Sequence, residues 1–194
     1  TRLEVEGGLE ARTYDRLEAE DATDWFVGAA AGADFPGGLD FRLSARRDEE
    51  YLTTSQEFGA GETSTIDTLA ATVGYRVRDA LRLQAAVRRA EYDYERSLDR
   101  DRLETTIQGD VFWRFRPRTS AFLELRVADF DYDANDPLDN RETALALGLT
   151  WEATSRSTAV LKAGYEWKRY DVENAAVGAE DGDYFVLAAS GRHE

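Results

Sequence analysis

Apolar and polar residues alternate with a period of two along much of this chain, most regularly from Asn140 to Asp171. The larger residues on one side of the first arm are Leu145, Leu147, Leu149 and Trp151, opposite Ala144, Ala146, Gly148 and Thr150. After a short polar turn the alternation resumes, with Leu161, Tyr165 and Trp167 on the apolar side. A β-strand sorts its two faces with this period. The stretch therefore predicts an antiparallel hairpin with one apolar face and one small or charged face.

The same alternation recurs elsewhere and predicts about ten strands in all. They cover residues 2–13, 25–35, 39–46, 68–77, 81–88, 107–116, 121–128, 144–151, 159–168 and 184–194. Short connections near Pro36, Arg78, Pro117 and Thr154 alternate with long polar ones near 15–22, 48–64, 93–102, 130–140 and 171–183. Each arm of the hairpin between Asn140 and Asp171 has about ten residues, which is enough for a tilted strand to cross a hydrocarbon layer.

Strand length and regular loop asymmetry are typical of outer-membrane barrels, whose short turns lie on the periplasmic side. The fold class predicted is all-β, an antiparallel up-and-down transmembrane β-barrel, with residues 1–194 forming one domain or part of a larger barrel. Aromatic residues near strand ends would form an interfacial girdle, and they are Trp25, Tyr75, Trp113, Trp151, Tyr165 and Trp167. The alternation also fits a soluble β-barrel that turns its apolar face inward and binds an apolar ligand.

Composition narrows the functional classes. The net charge of −15 disfavours general nucleic-acid binding, in which neutralised phosphates supply the affinity. The chain has no cysteine, so disulfides, thiolate nucleophiles and cysteine metal sites are excluded. No run of about eighteen apolar residues predicts a spanning helix. The sequence starts without methionine or a visible signal peptide, so we expect a processed chain or a fragment.

The charged face supplies the candidate functional residues. The predicted lumen-lining set is Arg42, Arg46, Arg76, Arg82, Arg88, Arg114, Glu124, Arg126, Lys162 and Glu166. One interpretation is a water-filled lumen whose basic bias attracts an anionic polymer. The other is a set of cross-strand ion pairs that fills and neutralises the interior of a narrow barrel. The sequence leaves both open.

The sequence gives only weak indications of a metal site or of catalysis. Asp131, Asp133 and Asp136 could offer oxygen ligands to calcium, but the spacing lacks the features of a helix–loop–helix site, and a solvated acidic loop is the simpler interpretation. The only histidine is His193, and the paired carboxylates Asp110 and Glu124 are a poor glycosidase candidate. We therefore predict no catalytic residues, no enzyme activity and no cofactor.

Several motifs resemble the outer-membrane β-barrel porins encoded beside bacterial exopolysaccharide genes. They are Pro117-Arg118-Thr119, Ser155-Arg156-Ser157-Thr158, Gly148-Leu149-Thr150-Trp151 and Gly164-Tyr165. The resemblance covers about Leu103 to Asp171. It implies a passive conduit or anchor for a secreted polymer, such as exopolysaccharide, in a Gram-negative outer membrane. The alternative in that membrane is a plugged structural or adhesive barrel.

The expected partners follow from this location. They are the lipid bilayer, lipopolysaccharide and periplasmic polysaccharide-export proteins, with a homo-oligomer as a further expectation and no nucleic acid. Two features depart from the family, since its members have more strands and the chain ends at Glu194 without a terminal aromatic residue. Either strands are missing, or several copies complete one barrel, or the ten strands close alone.

Overall fold

The computed structural model describes residues 1–12, 22–52, 61–134, 136–152, 154, 157–172 and 179–193. Within these ranges the chain forms ten strands in one antiparallel sheet, in which neighbours in sequence are neighbours in space. The strands are β1 (Arg2–Arg12), β2 (Ala22–Asp34), β3 (Leu39–Leu52), β4 (Glu62–Arg78), β5 (Leu81–Tyr94), β6 (Arg102–Arg116), β7 (Thr119–Tyr132), β8 (Asn140–Glu152), β9 (Ser157–Tyr170) and β10 (Gly182–His193). The predicted all-β, up-and-down architecture is confirmed.

The outer strands leave two edges. In the described part of the chain, β1 pairs only with β2 and β10 only with β9. The same ranges contain no helix that is both long and apolar enough to cross a membrane.

The short connections are tight turns, as predicted. Between β2 and β3, the N–H of Gly38 donates to the carbonyl of Phe35 at 3.0 Å, and Gly38 has a φ of 83°. A side chain at this φ would be strained, which explains the glycine. Two-residue connections join β4 to β5 and β6 to β7. The turn between β8 and β9 lies largely outside the described residues.

The strands extend further into the long connections than predicted. The polar stretch 48–64 was expected to be a loop, but β3 continues to Leu52 and β4 begins at Glu62, with Glu49 opposite Thr65. Likewise β5 continues to Tyr94 and β7 to Tyr132. Beyond the apolar segment both faces carry polar residues, so the alternation disappears while backbone pairing continues. The predicted long loop at 15–22 lies almost entirely outside the described residues.

Aspartates close the long-loop ends in a repeated way. In each case the backbone N–H of the last tyrosine of a strand donates to an aspartate carboxylate just before the next strand. The pairs are Tyr94 with Asp101 at 2.7 Å, Tyr132 with Asp139 at 2.7 Å and Tyr170 with Asp181 at 2.9 Å. Residues at comparable positions recur every 38 places, as in Tyr94, Tyr132 and Tyr170. The long-loop ends of β5, β7 and β9 therefore share one structural pattern.

Glu62 fastens the connection between β5 and β6 to the start of β4. Its side chain is buried and accepts hydrogen bonds from the hydroxyl of Ser97 at 2.6 Å and from the backbone N–H groups of Ser97 and Arg96 at 2.9 and 3.1 Å. Burial alone would raise the pKa of Glu62, but these hydrogen bonds outweigh it and hold the pKa below its usual value. The pKa of Glu62 is thus lower in the folded state than in the unfolded state. The ionised carboxylate and its three hydrogen bonds therefore stabilise the fold at neutral pH, and this stabilisation is lost as the pH falls through the folded-state pKa.

We expect Glu62→Gln to loosen residues 95–97 and to remove part of the acid sensitivity of the protein. The glutamine cannot accept all three hydrogen bonds as a carboxylate does. Hydrogen exchange of the Ser97 amide should speed up in the variant at neutral pH, and wild type should approach the variant only as the pH falls through the lowered pKa of Glu62 and its carboxylate is protonated. Glu91→Gln, an exposed position on neighbouring β5, is the matched control. Equal Ser97 protection in wild type and Glu62→Gln would contradict this account.

The two faces of the sheet have opposite burial. Large apolar side chains are exposed, with Leu147 at 67 % and Leu161 at 52 %, whereas Asp110 and Glu124 on the other face are exposed by only 3 % and 8 %. The described side chains that are buried are small, polar or charged, apart from Phe122. Since no second layer covers either face in the described residues, the low exposure of the charged face indicates that the sheet curls toward that face. Exposed large apolar side chains and buried charged ones are the reverse of the distribution in a soluble protein.

Candidate functional site

The charged, concave face of the sheet is the candidate site, and ion pairs that span three strands organise it. Arg126 of β7 reaches Glu166 of β9 at 2.6 Å, and in the strand register Ala144 of β8 lies between them. In the same way Arg46 of β3 reaches Glu6 of β1 at 3.2 Å over Gly28 of β2. Alternate strands are roughly 10 Å apart. Small residues on the middle strand allow the long side chains to meet above it.

The centre of the face holds two buried acids and one lysine. Asp110 of β6 lies directly opposite Glu124 of β7. Lys162 of β9 donates to Glu124 at 2.8 Å across β8, and the amide of Gln108 donates to both oxygens of Asp110 at 3.1 Å. Glu124 is thus held as one half of an ion pair. This arrangement satisfies both carboxylates with protein partners.

Gly74 of β4 provides the space for a further pair. Arg82 of β5 donates to Asp40 of β3 at 2.9 Å, and a Cβ at Gly74 would lie 2.5 Å from the guanidinium and from the carboxylate. The glycine is therefore needed for close approach of the two side chains, since its φ is ordinary. The ion pair itself fixes the short-turn ends of three strands.

Gly74→Val should separate Arg82 from Asp40 and lower the free energy of unfolding by roughly 1–3 kcal/mol, the usual range for overpacking. Gly109→Val is the control, because Gly109 of β6 has open space where its Cβ would lie. Unfolding by urea in the same lipid or detergent measures both variants. Equal stability of the two variants would show that the space above Gly74 is not required.

The ten predicted lumen residues all lie on this face, but most are paired. The eight that take part in ion pairs are Arg42, Arg46, Arg82, Arg88, Glu124, Arg126, Lys162 and Glu166. The two without an acidic partner among the described residues are Arg76 and Arg114. The positive charge is therefore not spread evenly over the face, because acids such as Glu4, Glu6 and Glu104 offset it. Unpaired positive charge is concentrated at the short-turn end.

Aromatic residues and cations alternate along the long-loop end of the charged face. The Arg102 guanidinium lies over the ring of Tyr92 at 4.2 Å, and the Lys168 ammonium lies 5.1 Å from the ring centre of Tyr170. Acids pair with both cations, Glu104 with Arg102 at 2.9 Å and Glu142 with Lys168 at 3.1 Å. The sequence places the rim tyrosines near strand ends, with a spacing of 38 residues, but their cation partners become visible only in the structure.

The six predicted girdle aromatics lie on the apolar face, three toward each end. Tyr75, Trp113 and Trp151 are exposed at the short-turn end. At the long-loop end Tyr165 is exposed, and Trp25 and Trp167 are half-buried. The rings of Tyr165 and Trp167 are 5.2 Å apart in an edge arrangement. These positions fit two aromatic borders, one at each end of the band of exposed apolar side chains on this face, which we call the apolar band.

A belt of charge follows the apolar band on its long-loop side. We call it the outer charged belt, and its residues are Arg47, Asp67, Arg89, Asp129, Arg141, Arg169 and Asp183. Arg47 pairs with Asp67, Arg141 with Asp129 at 2.6 Å, and Arg169 with Asp183 at 2.7 Å. Alternation does not reveal this belt, because its residues lie in or beside segments that the pattern assigns to loops.

Metal and catalytic candidates gain no support. Among the side chains that the structure describes, no group of three or more histidine or acidic residues is arranged to hold a metal ion. The side chain of Asp136 lies outside the described residues, so the weak calcium candidate of Asp131, Asp133 and Asp136 is not tested. The side chain of His193 is outside it as well.

Comparisons with known proteins agree with the fold. No family model matches the sequence, and no curated protein matches it. Among solved structures, the chain is similar to the outer-membrane expressed OmpT of Vibrio cholerae, with a TM-score of 0.62 and 16 % identity over 95 % of this chain and 58 % of that one. An OmpT loop L8 deletion mutant gives 0.62 and 14 % over 98 % and 61 %. The chain thus spans about three fifths of the length of these structures.

A NanC porin structure also matches over 98 % of both chains, at a TM-score of 0.49 and 11 % identity, which is too loose a likeness to support an inference. The OmpT likeness establishes that this sheet has the fold of an outer-membrane β-barrel wall. At such low identity it says nothing about activity or substrate.

Proposed function

We propose that this chain forms the wall of a pore in a Gram-negative outer membrane, through which a secreted polymer such as an exopolysaccharide passes without catalysis. The observation that carries the proposal is the inverted burial of the sheet, with leucines exposed and carboxylates buried. Such a sheet is costly in water, because a broad apolar surface would remain hydrated. In lipid the same surface is favoured, and the charged face keeps its water on the concave side.

The height of the apolar band fits a membrane. On β6 it runs from Ile107 to Phe115, eight residue steps, or about 26 Å along the strand at about 3.3 Å per residue. With a typical tilt of about 40° the band is about 20 Å high, close to the ~25 Å band of outer-membrane barrels. Aromatic residues border the band at both ends, where headgroups would lie.

The partners proposed follow from this orientation. The apolar band meets the bilayer, and the outer charged belt lies at the level of lipopolysaccharide headgroups if the long loops face outward. Periplasmic polysaccharide-export proteins would then meet the short-turn end. The two sheet edges of β1 and β10 also need partners in lipid, where unpaired backbone groups have no water, and a homo-oligomer is one way to supply them.

A plugged structural or adhesive barrel is the second candidate, and the ion pairs on the charged face favour it. Eight of the ten candidate residues are paired, which would rigidify and fill a narrow interior. A soluble barrel for an apolar ligand fits poorly, since it would bury the leucines that are exposed here.

Conductance separates the two membrane candidates. Protein extracted with detergent and reconstituted into planar bilayers should give stepwise, salt-dependent currents if the charged face lines a water-filled path. Membrane insertion without any current would support the plugged barrel and contradict the conduit. Full solubility without detergent would contradict both.

A further inference from the structure

The short-turn end of the charged face carries a cluster of arginines in two equivalent places. β4 ends in Tyr75-Arg76-Val77-Arg78 and β6 ends in Trp113-Arg114-Phe115-Arg116, an aromatic–Arg–apolar–Arg pattern repeated 38 residues apart. In both strands the register shifts between the two arginines. Such bulges re-aim side chains at barrel rims. Both therefore present pairs of arginines at the same end of the sheet.

Three of these arginines, Arg76, Arg78 and Arg114, line a cavity of about 310 Å³ on the charged face. The cavity residues used below are Arg76, Arg78, Arg82, Arg114, Gln84 and Phe112. In the strand register Arg76 faces Arg82, which in turn faces Phe112. The volume is at the lower end of the range for small-molecule sites.

The charge in this cavity is not neutralised as it is elsewhere on the face. Arg82 pairs with Asp40, but the guanidinium groups of Arg76, Arg78 and Arg114 make no ion pair or hydrogen bond with any residue that the structure describes. Asp79 is the acid that lines the cavity, and it leaves a positive excess. Like charges directly opposite each other, such as Arg76 and Arg82, destabilise a strand pair. An anion bound between them would remove that repulsion.

We propose that this cavity is a binding subsite for acidic sugar units, those that carry carboxylate or sulfate groups. These sugar units would belong to the polymer that the proposed pore carries, so this assignment rests on the proposed function. Guanidinium groups bind such anions through paired hydrogen bonds. The ring of Phe112 offers an apolar surface to a sugar face, and the amide of Gln84 can bond hydroxyl groups. In the proposed orientation the subsite lies at the periplasmic mouth, where an exported polymer enters.

Binding is tested on the full chain in detergent micelles, by calorimetry with a galacturonic acid hexamer as the probe and maltohexaose as its neutral counterpart. Wild type should bind the acidic hexamer in a salt-dependent manner and bind maltohexaose weakly or not at all. Arg76→Gln and Arg114→Gln should each weaken binding roughly tenfold, the effect of losing one charge-assisted hydrogen-bonded contact. Arg89→Gln should leave affinity unchanged, because Arg89 is exposed on the apolar face, away from the cavity, and forms no ion pair with the residues that the structure describes.

Several results would overturn the assignment. They are equal affinity for the acidic and neutral hexamers, an equal loss in Arg89→Gln, and tighter binding of hexaglutamate, which would indicate an acidic protein segment instead. Circular dichroism and heat-modifiable migration of each variant check that the fold is kept. Because binding in micelles does not require conduction, a chain that conducts without binding refutes this subsite alone. A chain that binds without conducting refutes the conduit alone.

Discussion

Leu147→Arg lowers the free energy of unfolding from a bilayer by roughly 2–4 kcal/mol, the cost of an arginine at the lipid-facing midplane of a β-barrel. Leu147 lies in the middle of β8, is 67 % exposed, and has Leu145 and Leu149 as neighbours on the apolar face. Urea unfolding in lipid vesicles gives the difference. The substitution should also slow insertion from the unfolded state.

Leu98→Arg is the matched control for this prediction. Leu98 is 59 % exposed, which is similar to the exposure of Leu147. It lies, however, in the connection between β5 and β6 beyond the apolar band. In water the two substitutions would have similar, small effects. A difference of less than about 0.5 kcal/mol between the two variants would therefore argue against lipid contact on this face.

Lys162→Met should destabilise the protein by roughly 1–3 kcal/mol, because it leaves the buried carboxylate of Glu124 without its cation. Glu124 lies directly opposite Asp110, so the loss of Lys162 leaves two adjacent acids without the cation that pairs with Glu124. Methionine keeps most of the length and the apolar contacts of the lysine side chain.

The double variant Lys162→Met/Glu124→Gln supplies the control. It removes the unpaired charge together with its partner and should recover most of the lost stability, with a coupling energy of about 1 kcal/mol or more in a double-mutant cycle. Additive effects of the two single substitutions would show that the contact between Lys162 and Glu124 is not energetically significant.

The sequence predicts the middle of each strand well and the ends poorly. Within the apolar band one face needs apolar residues and the other does not, so alternation marks the strand. Beyond it, at Asp48 to Leu52 and Glu62 to Asp67, both faces are polar and the pattern gives no signal. Backbone pairing in β3 and β4 continues there, because it depends on hydrogen bonds rather than on side-chain type.

The face of each candidate residue was predictable, but its partner was not. Alternation puts Arg46 and Arg126 on the charged face. Their pairing with Glu6 and Glu166 depends on strand register and on a glycine or alanine in the strand between. Alternation alone therefore left the basic-biased lumen and the ion-paired interior both open. The unpaired arginines became recognisable only once each acid had been assigned to a partner.

The central claim is that the leucine face meets lipid while the charged face meets water, and single-cysteine labelling tests it most directly. The chain has no native cysteine, so a spin label can be placed at Leu145, Leu147 and Leu149 and, on the other face, at Thr68, Thr72 and Thr150. In liposomes the leucine positions should be accessible to oxygen and shielded from a water-soluble nickel chelate, and the threonine positions should show the opposite. Accessibility of the leucine positions to the chelate, with the threonine positions shielded from it, would contradict the account.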